Sequence, residues 1–124
     1  MIYEKAEGRL DFLARLKGKR IICYGASLDE EGFRVLSELK DFIICFVDVD
    51  ERRHGLINLA GRNLAVFNTN ILKFENWKNS ILVITCKRYH GIMDELEKIE
   101  GLKTAVCYAL ADAVQSKAGS EYEG

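Results

Sequence analysis

The segment RIICYGASLDEEGFRVL, residues 20–36, decides the fold class. It opens with the apolar run Arg20–Tyr24, which is typical of a strand buried on both faces of a sheet. Gly25 ends that run, and residues 29–40 then carry apolar side chains at helical spacing, with acids in the first turn. The segment therefore predicts a strand, a tight turn and a helix, which is the repeating unit of an α/β domain.

The rest of the chain continues this alternation. Further apolar runs predict strands at residues 42–47, 64–67, 81–85 and 104–108, and helical periods predict helices at residues 3–16, 68–77 and 91–100. Residues 55–61 are predicted to be a loop. Strands that are apolar throughout are typical of a parallel sheet covered on both faces. We therefore predict a Rossmann-like, doubly wound α/β domain of about five strands in the order 3-2-1-4-5, with an extra N-terminal helix.

Composition limits the domain count and the class of partner. A chain of 124 residues is long enough for one core, so we predict an amphipathic helix at residues 1–18, the domain at 19–110 and a polar tail at 111–124. The net charge of -1 and the lack of a basic stripe argue against a nucleic-acid partner. No apolar run approaches the ~20 residues that span a bilayer, and no secretion signal is visible. The expected location is the cytoplasm.

Cysteine and histidine spacing does not indicate a metal site. The two histidines, His54 and His90, are far apart, and no cysteine is placed to join them. Cys86 stands beside Lys87, and a neighbouring cation could lower its pKa and make it reactive, although no base accompanies it. The simpler interpretation, that the cysteines are buried and reduced, applies to all four: Cys23, Cys45, Cys86 and Cys107.

Ligands of a doubly wound sheet bind beyond the carboxyl ends of the strands, where the winding direction reverses. That rule selects residues 25–31, 48–50 and 85–90. A dinucleotide fingerprint would need glycine at positions 25, 27 and 30, but only Gly25 is present, and Ser27 and Glu30 replace the others. The run Asp29 to Glu31 would also repel an anion at the start of the helix. The alternative is a strand, turn and helix with ordinary capping.

The other two stretches offer complementary chemistry. Asp48 follows the second strand, where an acid commonly binds ribose hydroxyls, and Asp50 stands two residues later. Thr85, Lys87 and Arg88 follow the fourth strand and could supply the positive charge that the first loop lacks. The structural alternatives are a solvated acid at position 48, a turn former at position 50 and surface charges at 87 and 88.

Three segments together resemble a known family: YGAS...GFRVLSEL, FIICFVDVDERRHG...GRNLAVF and ILVITCKRYHGIMDELEKIEGLKTAVCYAL. They are similar to small Rossmann-like domains of bacterial surface-polysaccharide proteins. Such domains occur in sugar O-acyltransferases, in relatives of sugar-nucleotide dehydratases and epimerases, and beside glycosyltransferases and methyltransferases. The resemblance covers about residues 19–110, and five positions carry the family pattern: Gly25, Asp48, Asp50, Gly55 and Gly61.

The resemblance implies a pocket for a nucleotide or sugar nucleotide, with NAD as another potential ligand. We predict a binding module that serves a catalytic domain or partner enzyme, with no catalytic residues of its own that the sequence identifies. Two alternatives remain open: a degenerate domain that mediates protein interaction or homo-oligomerisation, and a fragment of an NAD- or S-adenosylmethionine-dependent enzyme. The predicted ligand-binding residues are Gly25, Ala26, Ser27, Asp48, Asp50, Thr85, Lys87 and Arg88.

Overall fold

One seven-stranded sheet runs through the protein in the computed structural model, which describes residues 1–114. Across the sheet the strand order is β1-β7-β6-β2-β3-β5-β4. All neighbouring strands are parallel except β4 and β5, which form an antiparallel hairpin. The strands are β1 (Ile2–Tyr3), β2 (Arg20–Tyr24), β3 (Ile43–Val47), β4 (Gly55–Leu59), β5 (Arg62–Phe67), β6 (Ser80–Ile84) and β7 (Val106–Ala109). The fold is therefore α/β with a mostly parallel sheet.

Two edge strands correct the predicted five-stranded sheet. Strand β4 occupies residues predicted to be a loop, because Ala60 and Gly61 have positive φ values of 50° and 93° and make a two-residue hairpin turn. Strand β1 lies at the other edge, where Ile2 is paired with Val106 of β7. Two residues are too short a segment to show any period. Between these edges, the chain passes from β2 to β3 and β5 on one side and places β6 and β7 on the other.

The helices are shorter than the sequence predicts. Each of α1 (Arg9–Leu16), α2 (Glu30–Ser37) and α3 (Tyr89–Leu96) has eight residues. Helix α1 begins after Gly8, whose φ is 90°, and not at residue 3, which belongs to β1. The predicted helix at 68–77 is the 3-10 helix Thr69–Phe74. The predicted helix at 91–100 is α3, which ends at Leu96, and a separate 3-10 helix, Glu100–Leu102, follows after a turn.

The predicted polar tail at 111–124 lies only in part within the described residues. Residues 110–114 are helical, and Asp112 and Ala113 are buried. Residues 115–124 lie outside the described part of the chain. Within residues 1–114, no helix has the length and apolar character needed to cross a bilayer.

Helices cover the central strands on both faces. Ile21 and Cys23 of β2 pack in the core under α1 and α2, and Ile22 packs in the core under α3. Adjacent side chains of a strand point to opposite faces, so a strand covered on both faces must be apolar at every position.

Three of the cysteines, Cys23, Cys45 and Cys107, are buried. Burial raises the pKa of both Cys45 and Cys107 to about 11. All four cysteines are free thiols, and only Cys86 is partly exposed.

The β4–β5 hairpin leaves part of one face uncovered. Phe67 is paired with Val47, whose side chain belongs to the core under α3, so Phe67 points to that same face. Leu56 is paired with Ala65, two residues from Phe67, and shares this face. Leu56 is 71% exposed and Phe67 46% exposed. The connection from β3 to β5 runs through a 3-10 turn and β4, and it supplies no α-helix to cover them.

The hairpin turn yields a first testable prediction. Replacing Ala60 by Asn should raise the free energy of unfolding by about 0.5–1 kcal/mol, because Asn tolerates a positive φ better than Ala and Asn-Gly suits this turn type. Urea denaturation followed by circular dichroism measures the change. Gly61→Ala is the matched control and should destabilise, since φ at that position is 93°. A loss of stability in Ala60→Asn would contradict the turn geometry.

Candidate functional site

The carboxyl ends of β2 and β6 meet where the winding reverses, and the loops that follow β2, β3 and β6 surround this point. We call the surface formed by residues 25–29, 48–50 and 85–88 the mouth. The Thr85 hydroxyl oxygen lies 2.9 Å from the Tyr24 carbonyl oxygen and 2.8 Å from that of Gly25. Its single proton is therefore used inside the protein, and only lone pairs remain for a ligand.

Gly25 is required by contact between the two strands. Its φ is 108°, and a Cβ atom added there would stand 2.3 Å from the Thr85 Oγ1 atom. Its own N–H donates to the Val47 carbonyl at 2.8 Å. The glycine that the sequence predicts beneath a phosphate therefore has a structural reason to be present that involves no ligand.

Asp48 joins two of the loops from a buried position. One carboxylate oxygen accepts the Ala26 N–H at 2.8 Å, and the other accepts the Asp50 N–H at 2.9 Å. The residue is only 8% exposed. The His54 ring nitrogen Nε2 lies 2.8 Å from the Asp48 main-chain oxygen and donates to it. A carboxylate has about four lone-pair positions, so two remain, and the predicted contact with ribose stays a prediction.

Asp50 faces its own turn. Its carboxylate accepts from the Arg52 main-chain N–H at 3.0 Å and is held by the Arg52 guanidinium at 2.9 Å. Hydrogen bonds from Arg52 lower the pKa of Asp50 to about 2. The residue therefore acts as a turn former here, and its predicted role toward a ligand stays untested.

The three acids at the start of α2 divide into two groups. Asp29 is the N-cap, accepts the Gly32 N–H at 2.7 Å and lies 3.5 Å from the Lys87 ammonium. Glu30 and Glu31 instead contact Arg34 along the helix surface, at 2.6 and 3.4 Å. Of these three acids, only Asp29 contacts a cation of the mouth. It pairs with Lys87, the side chain that a phosphate would otherwise bind.

Several donors at the mouth have no partner within residues 1–114. The Ser27 hydroxyl and the main-chain N–H groups of Ser27 and Leu28 make no hydrogen bond to another described residue. Arg88 is exposed and makes no ion pair with the described residues, and it directly precedes α3. The mouth therefore combines unused N–H and O–H donors with two cationic side chains.

Cys86 and His90 do not have the environment of catalytic groups. Burial raises the pKa of the Cys86 thiol, and the nearby Asp48 carboxylate raises it further, which opposes the lowered pKa considered from sequence. His90 is exposed, and its ring lies 4.3 Å from that of Tyr89. Among residues 1–114, no group of His, Cys, Asp and Glu side chains could hold a metal ion.

The sequence gives no indication of a second polar cluster near the carboxyl edge. The hydroxyls of Tyr3 and Tyr89 both donate to the buried carboxylate of Asp112, that of Tyr89 at 3.4 Å. Burial and the Asp112 carboxylate strongly raise the pKa of Tyr3. These residues are too far apart in sequence for any motif to connect them, and the contacts attach β1 to α3 and to the helix at residues 110–114.

Comparison with known proteins identifies no relative. The chain matches no protein-family model, and no curated protein or solved structure is significantly similar to it.

The contact between Gly25 and Thr85 yields a second prediction. Gly25→Ala should lower the free energy of unfolding by at least about 2 kcal/mol, because strain at a positive φ adds to the clash. Adding Thr85→Ala removes the clashing oxygen and should recover part of that loss, as measured by urea denaturation of both single variants and the double variant.

Gly18→Ala is the matched control. Its φ is 82°, and nothing lies within 4 Å of an added Cβ atom, so it reports backbone strain alone. Equal losses for Gly18→Ala and Gly25→Ala, with no recovery in the double variant, would contradict the proposed contact.

Proposed function

We propose that this chain is a Rossmann-like module that binds a nucleotide or sugar nucleotide through its phosphate at the mouth. The observation that carries the proposal is the meeting of Lys87 with the N-cap of α2, at 3.5 Å, across the point where the winding reverses. Unused donors of Ser27 and Leu28 lie in the same loop as that N-cap. Two helices, α2 and α3, begin at this surface, and the N-terminus of a helix favours an anion.

The ion pair between Asp29 and Lys87 controls access to this site. The side chains are 51% and 80% exposed, so the pair contributes only about 0–1 kcal/mol in water. A ligand phosphate carries more charge than one carboxylate and could displace Asp29 from Lys87. We therefore assign the phosphate contacts to Ser27, Lys87 and Arg88. Thr85 contributes only lone pairs, and Asp48 retains two lone pairs for a ribose hydroxyl.

The wider role rests on the resemblance to domains of bacterial surface-polysaccharide proteins. In that role the module would act in the cytoplasm and hold the ligand for a catalytic domain or partner enzyme. NAD is a less suitable ligand than a sugar nucleotide or mononucleotide, because the loop lacks the second glycine that lets a pyrophosphate approach the backbone. The proposal assigns no reaction to the chain itself.

The ion pair at the mouth yields a third prediction. Asp29→Asn should bind nucleotides about threefold to tenfold more tightly, because it removes one negative charge near the phosphate. Asn is as good an N-cap as Asp, so stability should change little. Lys87→Ala and Arg88→Ala should weaken binding. The measurement is a thermal-shift and calorimetric titration with UDP-sugars, CDP-sugars, mononucleotides and NAD.

Lys98→Ala is the matched control. Lys98 is also exposed and paired with an acid, Glu95, but it lies just beyond the C-terminal end of α3 and not at the mouth. It should leave binding unchanged. If no nucleotide stabilises either the parent chain or Asp29→Asn, the proposal is wrong.

A second candidate function, self-association, is favoured by the free edge of β4. Strand β4 has the sequence GLINL, without the charged residues or proline that usually protect an edge strand. Because hydrogen-bonded and other pairs alternate along a hairpin, the N–H and C=O groups of Leu56 and Asn58 point away from β5. A second copy could pair antiparallel with them about a two-fold axis, and Leu56 would be partly covered.

This candidate yields a fourth prediction. Leu56→Lys should weaken self-association at least about tenfold, because antiparallel pairing brings two like charges together at the new edge. Size-exclusion chromatography with light scattering, over a range of protein concentrations, measures the change. Phe74→Lys is the control, since Phe74 is also a large apolar residue that is mostly exposed but lies on the 3-10 helix after β5. A parent chain that is monomeric at all concentrations would exclude this function.

A further inference from the structure

A second cleft lies at the amino edge of the sheet, on the side opposite the mouth. It has a volume of about 370 Å³ and opens over the amino ends of β6 and β7. Helix α1 and the turn that follows it form one wall, and the segment before β6 forms the other. We call it the amino-edge cleft, and the residues that matter for its chemistry are Arg15, Lys19, Trp77, Lys78, Ile81 and Val106.

Positive charge predominates in this cleft. Arg15, Lys19 and Lys78 line it, whereas Glu4 is the only acid that residues 1–114 contribute to its lining. The side chains of Lys19 and Lys78 make no ion pair or hydrogen bond with any residue of the described part of the chain. Two ammonium groups that line one cleft without partners among the described residues raise the local potential, which attracts an anion.

The remaining charges hold the cleft in shape. Glu4 accepts a hydrogen bond from the Tyr108 hydroxyl and lies 3.8 Å from the Arg15 guanidinium. Arg15 is also held by Asp11, one turn earlier on α1, at 3.0 Å. The Glu4 carboxylate is therefore engaged by protein groups and does not neutralise either lysine. Arg15 is fixed in place without losing all of its five N–H donors.

Two apolar side chains form part of the floor of the cleft. Ile81 and Val106 are only partly buried, although both belong to strands of the sheet. A volume of about 370 Å³ falls within the range of ~300–1,000 Å³ that is usual for small-molecule sites. It suits a ligand with one ring or a short carbon chain and is small for a dinucleotide.

We propose that the amino-edge cleft binds a small organic anion, whose phosphate or carboxylate lies between Lys19 and Lys78 and whose apolar body covers Ile81 and Val106. This site is separate from the mouth and does not depend on the function proposed there. The observations that carry it are the two unpaired ammonium groups, the engaged acid and the two apolar side chains in the floor of one cavity.

Trp77 provides a direct measurement because it is the only tryptophan of the chain and lines the cleft. Phenyl phosphate and benzoate are the anionic probes, inorganic phosphate tests the charge alone, and benzyl alcohol is the neutral analogue. We expect phenyl phosphate, benzoate or both to change the Trp77 emission and shift the main-chain amide NMR signals of Lys19 and Lys78. Binding should weaken with salt. The tighter of the two anions identifies the headgroup.

The double variant Lys19→Glu/Lys78→Glu should bind these anions at least about tenfold more weakly, since each lost contact involves a charged group. Lys98→Glu/Lys103→Glu makes the same change in net charge at two exposed lysines outside the cleft lining, so it is the matched control and should leave the Trp77 titration unchanged. Three outcomes would overturn the proposal: no emission or NMR response to either organic anion, equal binding of benzyl alcohol, or unchanged affinity in the double variant. None of them bears on nucleotide binding at the mouth.

Discussion

Covering β2 on both faces is the constraint from which the rest of the architecture follows. Ile22 packs under α3 while Ile21 and Cys23 pack under α1 and α2, so the chain must place helices on each side of one strand. It does so by building β3 and β5 in one direction and β6 and β7 in the other. Reversal of the winding leaves the loops after β2 and β6 side by side, and their contact, between Gly25 and Thr85, is close enough to exclude a Cβ atom.

Acidic side chains have different partners at the two edges of the sheet. At the carboxyl edge, acids stabilise the loops: Asp48 accepts two main-chain N–H groups, and Asp29 caps α2 and forms an ion pair with Lys87. At the amino edge, Glu4 is engaged by Tyr108 and Arg15, and the lysines remain unpaired among the described residues. A chain with a net charge of -1 can therefore keep cations without acidic partners among its described residues at both edges, because local potential depends on pairing and burial as well as on the total.

The spacing of apolar residues along the sequence was sufficient to predict the α/β class and the central strands, because a strand buried on both faces is apolar at every position. They missed β1 and β4, whose pairing depends on partners distant in sequence or on a turn made by Ala60 at a positive φ. At the mouth, position along the strands predicted that the loops after β2, β3 and β6 lie together, and Asp48, Thr85 and Lys87 each contact the loop after β2. It could not show that each Asp48 oxygen already accepts one main-chain N–H and that the Thr85 proton is already used, since hydrogen bonds to the main chain leave no pattern in sequence.

The pairing of β1 with β7 has a consequence for how the chain is made. Ile2 lies beside Val106, and Tyr3 donates to Asp112, so β1 pairs with a strand that is far from it in sequence and is made much later. During synthesis, which adds about 5–20 residues per second, β1 has no partner strand until β7 has been made. Long-range contacts of this kind slow folding, so the β1 edge of the sheet forms late, after residues through β7 are in place.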